Sequence, residues 1–292
     1  MLNYSYPLYR PPAEADNLIL QITHGCSHNN CSFCSMYKSK RYSVRKLEDI
    51  FNDIDILTLH YPEARKIFLA DGDALGVRTD YLLEILKYIN KSFPKLRRVS
   101  TYASAQNILS KTKEELEKLY NHHLNLFYYG IETGDEELLK KIQKGVNAKE
   151  IIDSLTLVNQ TPIKISATVI LGLGGVEYSK DHILNTAKLI SQVNINYLST
   201  LQLGLEEDIK EKFYKNFDSF THLDDIETLH EQYDLLSQLK TKNKIIFRSN
   251  HASNALHLSG ILPKDKQKLL LQIDEALKYG EKYLIPKIYR GF

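Results

Sequence analysis

Leu18-Ile19-Leu20-Gln21-Ile22-Thr23-His24-Gly25-Cys26-Ser27-His28-Asn29-Asn30-Cys31-Ser32-Phe33-Cys34 is the stretch from which the rest of the chain can be read. Its first six residues form a short, near-continuous apolar run, the pattern of a parallel strand covered on both faces. After the run come His24, a glycine and then all three cysteines of the 292-residue chain, packed into nine residues. Three cysteines this close make a poor disulfide framework, because a short loop closes at most one bridge and strands the third thiol. Three thiols on one loop point instead to a metal ion or a metal cluster.

Similar apolar runs recur at 66–70, 98–102, 124–131, 163–171, 197–203 and 244–248. Between them lie stretches with a period near 3.6. Leu47, Ile50, Phe51, Ile54 and Leu57 form one stripe, and Leu82, Ile85, Leu86 and Ile89 another. Thr112 and Glu115 fit a capping box opening a further helix. The final helix is expected over 263–283, with Pro263 in its first turn. Strand–helix alternation implies right-handed βαβ units. The expected fold is α/β, a partial (open) parallel β/α barrel of about six to seven strands. Residues 1–17 are expected to form an N-terminal arm and 18–205 the core barrel. Residues 206–292 would add helices and a last strand completing the same domain. Chemistry in such a fold belongs at the C-terminal ends of the strands, where the cysteine loop falls.

Net charge is +2, from 38 basic and 36 acidic residues, which gives no push towards nucleic acid or acidic membranes. No apolar run approaches the ~20 residues needed to span a bilayer, and the first sixteen residues lack the apolar core of a secretory signal. The expectation is a cytoplasmic enzyme.

On the loop alone two chemistries stay open. Cys26, Cys31 and Cys34, with His24 or His28 as fourth ligand, could close a zinc site. Alternatively they hold a 4Fe–4S cluster; thiolates usually take all four irons, so three would leave one open. Gly-Cys-x₄-Cys-Ser-Phe-Cys after the first strand resembles the radical S-adenosylmethionine superfamily, with Phe33 as the aromatic residue before the last cysteine. The commonest spacing in that family has three residues between the first two cysteines, and this chain has four. The resemblance implies one 4Fe–4S cluster on the three cysteines. It also implies S-adenosylmethionine chelating the open iron, and an electron donor such as a flavodoxin or ferredoxin.

Further segments carry the likeness along the chain. Asp71-Gly72-Asp73 looks like the Gly-Gly-Glu-Pro segment that binds the methionyl amine, with Asp71 in place of the first glycine and Asp73 in place of the glutamate. Gly130-Ile131-Glu132-Thr133-Gly134 is similar to the Gly-Ile-Glu-Ser-Gly signature of the branch containing methylthiotransferases and anaerobic porphyrin cyclases. By that likeness Glu132 faces the ribose hydroxyls and Lys144 meets the methionyl carboxylate. Ser104 would contact the nucleoside, and Gly172 opens a glycine-rich turn like the segment flanking adenine.

The 244–248 run delivers Arg248, Asn250, His251 and Asn254 to the same rim, and these are the expected substrate contacts. The implied function is reductive cleavage of S-adenosylmethionine to methionine and a 5′-deoxyadenosyl radical, which abstracts hydrogen from an unidentified substrate. Without a fourth cysteine, neither a second cluster nor a methyl-accepting thiol is expected. The rival reading is a zinc-stabilised, non-radical protein contacting RNA through the basic run Lys38, Lys40, Arg41, Arg45 and Lys46.

Overall fold

A computed structural model describes residues 2–291. The strands are β1 (Leu18–Gln21), β2 (Thr23–His24), β3 (Ser43–Val44), β4 (Lys66–Ala70), β5 (Arg98–Ala103) and β6 (Leu124–Glu132), followed by β7 (Lys164–Leu171), β8 (Tyr197–Gln202), β9 (Ile245–Ser249) and β10 (Leu258–Leu262). Helices are α1 (Leu47–His60), α2 (Thr79–Ser92), α3 (Ala105–Leu109), α4 (Lys113–Asn121) and α5 (Glu136–Lys141), then α6 (Ala148–Val158), α7 (Gly175–Ile190), α8 (Glu207–Tyr214), α9 (Asp225–Gln238) and α10 (Lys266–Tyr279). All seven expected strands are present, as β1 and β4 to β9. The eighth, β10, runs antiparallel on β9 with Leu258 opposite Ser249. The main sheet has eight strands with edges at β1 and β10, so it is open, as expected, and one strand wider. β2 and β3 make a separate two-residue ribbon.

Packing divides the chain into two compact units. The first comprises residues up to Asn29, Met36–Tyr129 and Thr156–Ile165. Within it β1, β4, β5 and β6 pair in parallel. The expected stripes face inward: Ile50, Ile54 and Leu57 on α1, and Leu82, Ile85, Leu86 and Ile89 on α2, are buried. Phe51 stacks on Tyr88 with ring centroids 4.3 Å apart, holding the two helices together. The capping box of α4 forms as read: Glu115 N donates to Thr112 Oγ1 (3.2 Å) and Thr112 N to Glu115 Oε2 (2.8 Å).

The basic run needs correction as a surface for RNA. Lys40 and Arg45 are buried, each paired with a buried carboxylate, Asp71 and Asp53 respectively, at 2.7 Å. Lys38 donates to the Asn29 carbonyl (2.6 Å). Arg41 and Lys46 are exposed, so no continuous cationic strip results.

The second unit comprises Asn30–Ser35, Gly130–Leu155 and the chain from Ser166. In it β7, β8 and β9 pair in parallel, and α9 packs between α7 and α10. The final helix is shorter than expected. Pro263 lies outside it, its carbonyl accepting from Lys266 N (3.2 Å). Asp265 is at the N-cap, and its carboxylate takes Ile261 N–H (2.8 Å) to finish the edge of β10. Helix α10 therefore starts only at Lys266.

One fully buried imidazole ties the end of β6 to β7. His182 on α7 meets Thr133 Oγ1 through Nδ1 (2.8 Å) and the Ile170 carbonyl through Nε2 (3.0 Å). The carbonyl only accepts, so Nε2 carries the proton and Nδ1 accepts from the threonine hydroxyl. Burial pushes the His182 pKa down to about 4.

Both the Arg45–Asp53 pair and His182 can be weighed by unfolding. Arg45→Met, which leaves Asp53 charged and buried, should cost about 3–5 kcal/mol in denaturant unfolding. A loss below about 1 kcal/mol would show that the pair contributes little. For His182 the unfolded state binds a proton near pH 6.5 and the folded state only near pH 4. Its contribution is complete above pH 6.5 and shrinks by roughly 3 kcal/mol as pH falls to 4. The pKa of Glu231 is raised to about 7, so that group acts with the opposite sign in the overlapping range. The observable is therefore the wild-type curve minus that of His182→Gln, a residue able to keep both hydrogen bonds. That difference should slope between pH 6.5 and 4 and be flat above 7.

Candidate functional site

In the first unit the C-terminal end of β4 carries the Asp-Gly-Asp segment. Asp71 has no exposed surface; its Oδ2 accepts from Lys40 Nζ (2.7 Å), Gly25 N (3.1 Å) and Gln21 Nε2 (3.2 Å). Gly72 lies beneath the ring of Tyr37, where a Cβ would come within 2.4 Å of a ring carbon, so only glycine fits. Asp73 is 3% exposed, and its Oδ2 has no hydrogen-bond partner among the described residues. Asp71 Oδ1 is likewise buried without a partner among them. Cys26 is half-buried nearby: Asp73 and Cys26 both act on the phenol of Tyr42, whose pKa is raised first by burial and then by those two charges. Lys111, buried and donating to the Val77 carbonyl (2.9 Å), has its pKa lowered by desolvation, partly offset by Glu115 and Asp73. Ser104 is the N-cap of α3, its hydroxyl accepting from Asn107 N (3.2 Å).

In the second unit three of the expected residues come together. Lys144 Nζ donates to Glu132 Oε1 (2.8 Å) and lies 5.8 Å from the centre of the Phe33 ring. Lys144 is thus an ion-pair partner of Glu132. Glu132 has φ +61, a left-handed backbone for a non-glycine residue. Any Cβ at Gly130 would collide with Glu132 Oε1 at 1.9 Å, so the glycine two residues back makes room for the carboxylate. Gly172, at φ +74, donates its N–H to Glu231 Oε2 (2.6 Å), and Glu231 Oε1 takes the Ser179 hydroxyl (2.7 Å). Burial raises the Glu231 pKa to about 7 against those hydrogen bonds. Glu231 has no sequence signal; it lies within an ordinary helical pattern.

At the ends of β8 and β9 the expected substrate contacts divide. Arg248 and Asn250 are exposed, and His251 is half-buried with Nδ1 against Ser253 Oγ (2.8 Å). Asn254 is buried: Nδ2 donates to the Thr200 carbonyl and Ser249 Oγ, and Oδ1 accepts from Gln202 N and Ser253 Oγ. It borders a small cavity with Leu171, Gln202, Gln232 and Ser249. There Gln202 Oε1 and Gln232 Nε2 remain without partners among the described residues.

Cys31 and Cys34, both half-buried, lie in the second unit, and none of the three cysteines is disulfide-bonded. Among the described residues no three His, Cys, Asp or Glu side chains converge as a metal cage. Among the described residues no helix is long and apolar enough to cross a membrane.

Comparison with known proteins places these features. A Methanocaldococcus jannaschii protein bearing a methylthiotransferase name is 27% identical over 58% of this chain and 39% of its own. The heme chaperone HemW of Bacillus subtilis is 23% identical over 56% of this chain and 44% of its own. The chain therefore spans less than half the length of these relatives. Among solved structures, coproporphyrinogen III oxidase (HemN) from Escherichia coli superposes with a TM-score of 0.58 at 15% identity, covering 76% of this chain and 52% of that one. The family model described as the Radical SAM superfamily matches residues 20–190. With more than half its length so matched, the chain belongs to the radical SAM superfamily, enzymes that work with a 4Fe–4S cluster and S-adenosylmethionine.

Proposed function

We propose that this chain holds one 4Fe–4S cluster on Cys26, Cys31 and Cys34, binds S-adenosylmethionine beside it, and takes a hydrogen atom from a substrate. The observation that carries this reading is the donor set: three thiols in nine residues, in the loop that comes after β1 and β2. When bound, the group supplies the electron that splits S-adenosylmethionine into methionine and a 5′-deoxyadenosyl radical. A flavodoxin or ferredoxin would deliver that electron.

The chain's own residues supply binding and exclusion of water. Asp73 fits the methionyl amine, because a buried carboxylate oxygen without a partner is costly until a cation or donor reaches it. Glu132 fits the ribose hydroxyls: Lys144 holds one carboxylate oxygen, and the backbone turn at +61 sets the direction of the side chain. Lys144, charged and close to Phe33, fits the methionyl carboxylate. Ser104 and Gly172 remain for the nucleoside.

Anaerobic reconstitution followed by reduction should give iron with acid-labile sulfide and 5′-deoxyadenosine from S-adenosylmethionine, both lost in Cys34→Ala. Stoichiometric zinc without sulfide would instead support the zinc-stabilised reading. For cofactor binding, Glu132→Ala should weaken S-adenosylmethionine by roughly 10- to 100-fold, the value of a hydrogen bond to a charged group. Equilibrium dialysis against the reconstituted protein reads this directly, and unchanged affinity would remove Glu132 from the site.

A further inference from the structure

Two residues flank the cysteine loop and touch each other. Gly25 precedes Cys26, and Lys40 lies six residues beyond Cys34. Gly25 is buried at φ +68, and a Cβ there would stand 3.1 Å from the Lys40 carbonyl oxygen and 3.3 Å from Lys40 Cβ. The two ends of the excursion therefore meet backbone to backbone, in the manner of an Ω-loop closed at its neck.

The neck is tied by charge. Asp71 Oδ2 accepts from Gly25 N–H on one side and Lys40 Nζ on the other, so one buried oxygen binds both ends. An ammonium has three N–H donors, and Lys40 directs them to Asp71 Oδ2, the Ser5 carbonyl (2.7 Å) and the Pro7 carbonyl (2.6 Å). The N-terminal segment is thereby a third strap on the same neck. Both side chains are almost wholly buried, 5% exposed for Lys40 and 0% for Asp71. Asp71 stands where the family resemblance has a glycine, and a glycine there could neither receive Gly25 N–H through a side chain nor neutralise Lys40.

We propose that the Lys40–Asp71 pair is a latch on the neck of the cysteine loop, and that it sets how firmly the loop retains its cluster. Lys40 and Asp71 are positioning residues: they act through Gly25 on the placement of Cys26 and touch no reacting atom. The second half of the proposal rests on Cys26, Cys31 and Cys34 holding a 4Fe–4S cluster.

The test compares wild type, Lys40→Met/Asp71→Leu, Asp71→Asn and Cys34→Ala. Replacing both partners of a buried pair with apolar residues commonly preserves the fold, which thermal melting checks. Asp71→Asn keeps a carbonyl oxygen for Gly25 N–H and removes only the ion pair. Two quantities are read: amide hydrogen exchange across residues 25–40 in the cluster-free protein, and the rate of iron loss to a ferrous chelator after anaerobic reconstitution. The double variant should melt near wild type, exchange faster across 25–40, and lose iron about tenfold faster or more, as losing the groups that orient metal ligands does elsewhere. Asp71→Asn should fall between, and it carries the same comparison if the double variant melts early. Wild-type exchange and wild-type iron loss in a folded variant overturn the latch. A wild type that takes up no more iron than Cys34→Ala overturns the cluster reading instead, and the exchange data then judge the latch on their own.

Discussion

A carboxylate with no exposed surface must be surrounded by donors or it is not ionised in place, and Asp71 meets that condition with donors drawn from three parts of the first unit. Gln21 comes from β1, Gly25 from the chain entering the cysteine loop, and Lys40 from the chain leaving it. Asp71 also gives its own N–H to Thr23 Oγ1 (3.2 Å), which joins the end of β4 to the chain just past β1. The next two residues inherit this placement. Gly72 is pressed under Tyr37, whose ring meets Tyr9 edge-on at 5.5 Å, so loop and N-terminal segment close over the strand end together. Asp73 is then delivered, buried, with one oxygen unspent.

The second unit holds its own carboxylate by a different means. Glu132 takes up a backbone conformation that costs a non-glycine residue about 1 kcal/mol or more, so neighbouring contacts must over-determine it. They come from consecutive turns of α7: His182 on Thr133, Thr186 Oγ1 accepting from Gly134 N (2.8 Å), and Asn185 Nδ2 donating to Asp135 (2.7 Å). Three successive residues after Glu132 are thus pinned from one helix. The strand end is held by α7, and α7 in turn packs on α9, which carries Glu231 to Gly172.

Much of this was legible in the sequence because its signals were local. Apolar runs without alternation marked β1 and β4 to β9, since strands covered on both faces need no polar side. Stripes at helical spacing marked α1 and α2. What escaped detection was set by contacts distant in the chain. β10 is short, contains Ser259 and Gly260, and exists because β9 offers it an edge. Lys40 and Arg45 read as members of a basic run open to RNA because their neighbours in sequence are charged and polar; Asp71 and Asp53, which bury them, lie 31 and eight residues away. Among the proposed site residues, Glu132 and Lys144 could be singled out in the sequence, but their pairing across twelve residues could not. Glu231 was invisible, because a buried glutamate on an amphipathic helix cannot be told from an exposed one without the turn it caps.

Hydrogen-bond satisfaction also separates the residues proposed for the cofactor from those proposed for the substrate. At the ends of β8 and β9 the buried polar groups satisfy one another. Gln232 Oε1 accepts from Thr200 Oγ1 and Ser249 Oγ, and the Asn254 amide is committed on both its oxygen and its nitrogen. A group already hydrogen-bonded inside the protein gains little by exchanging its partner for a ligand, whereas a buried atom without one gains the full value of the bond. By that criterion Asp73 Oδ2 stands ready for the amine contact proposed for it. Near β8 and β9, among the described residues, Gln202 Oε1 and Gln232 Nε2 are left in that state, one acceptor and one donor on the same small cavity. In the proposed reading a substrate would be met by that pair and by the exposed Arg248 and Asn250, of which Arg248 already gives one N–H to the Phe247 carbonyl (3.0 Å).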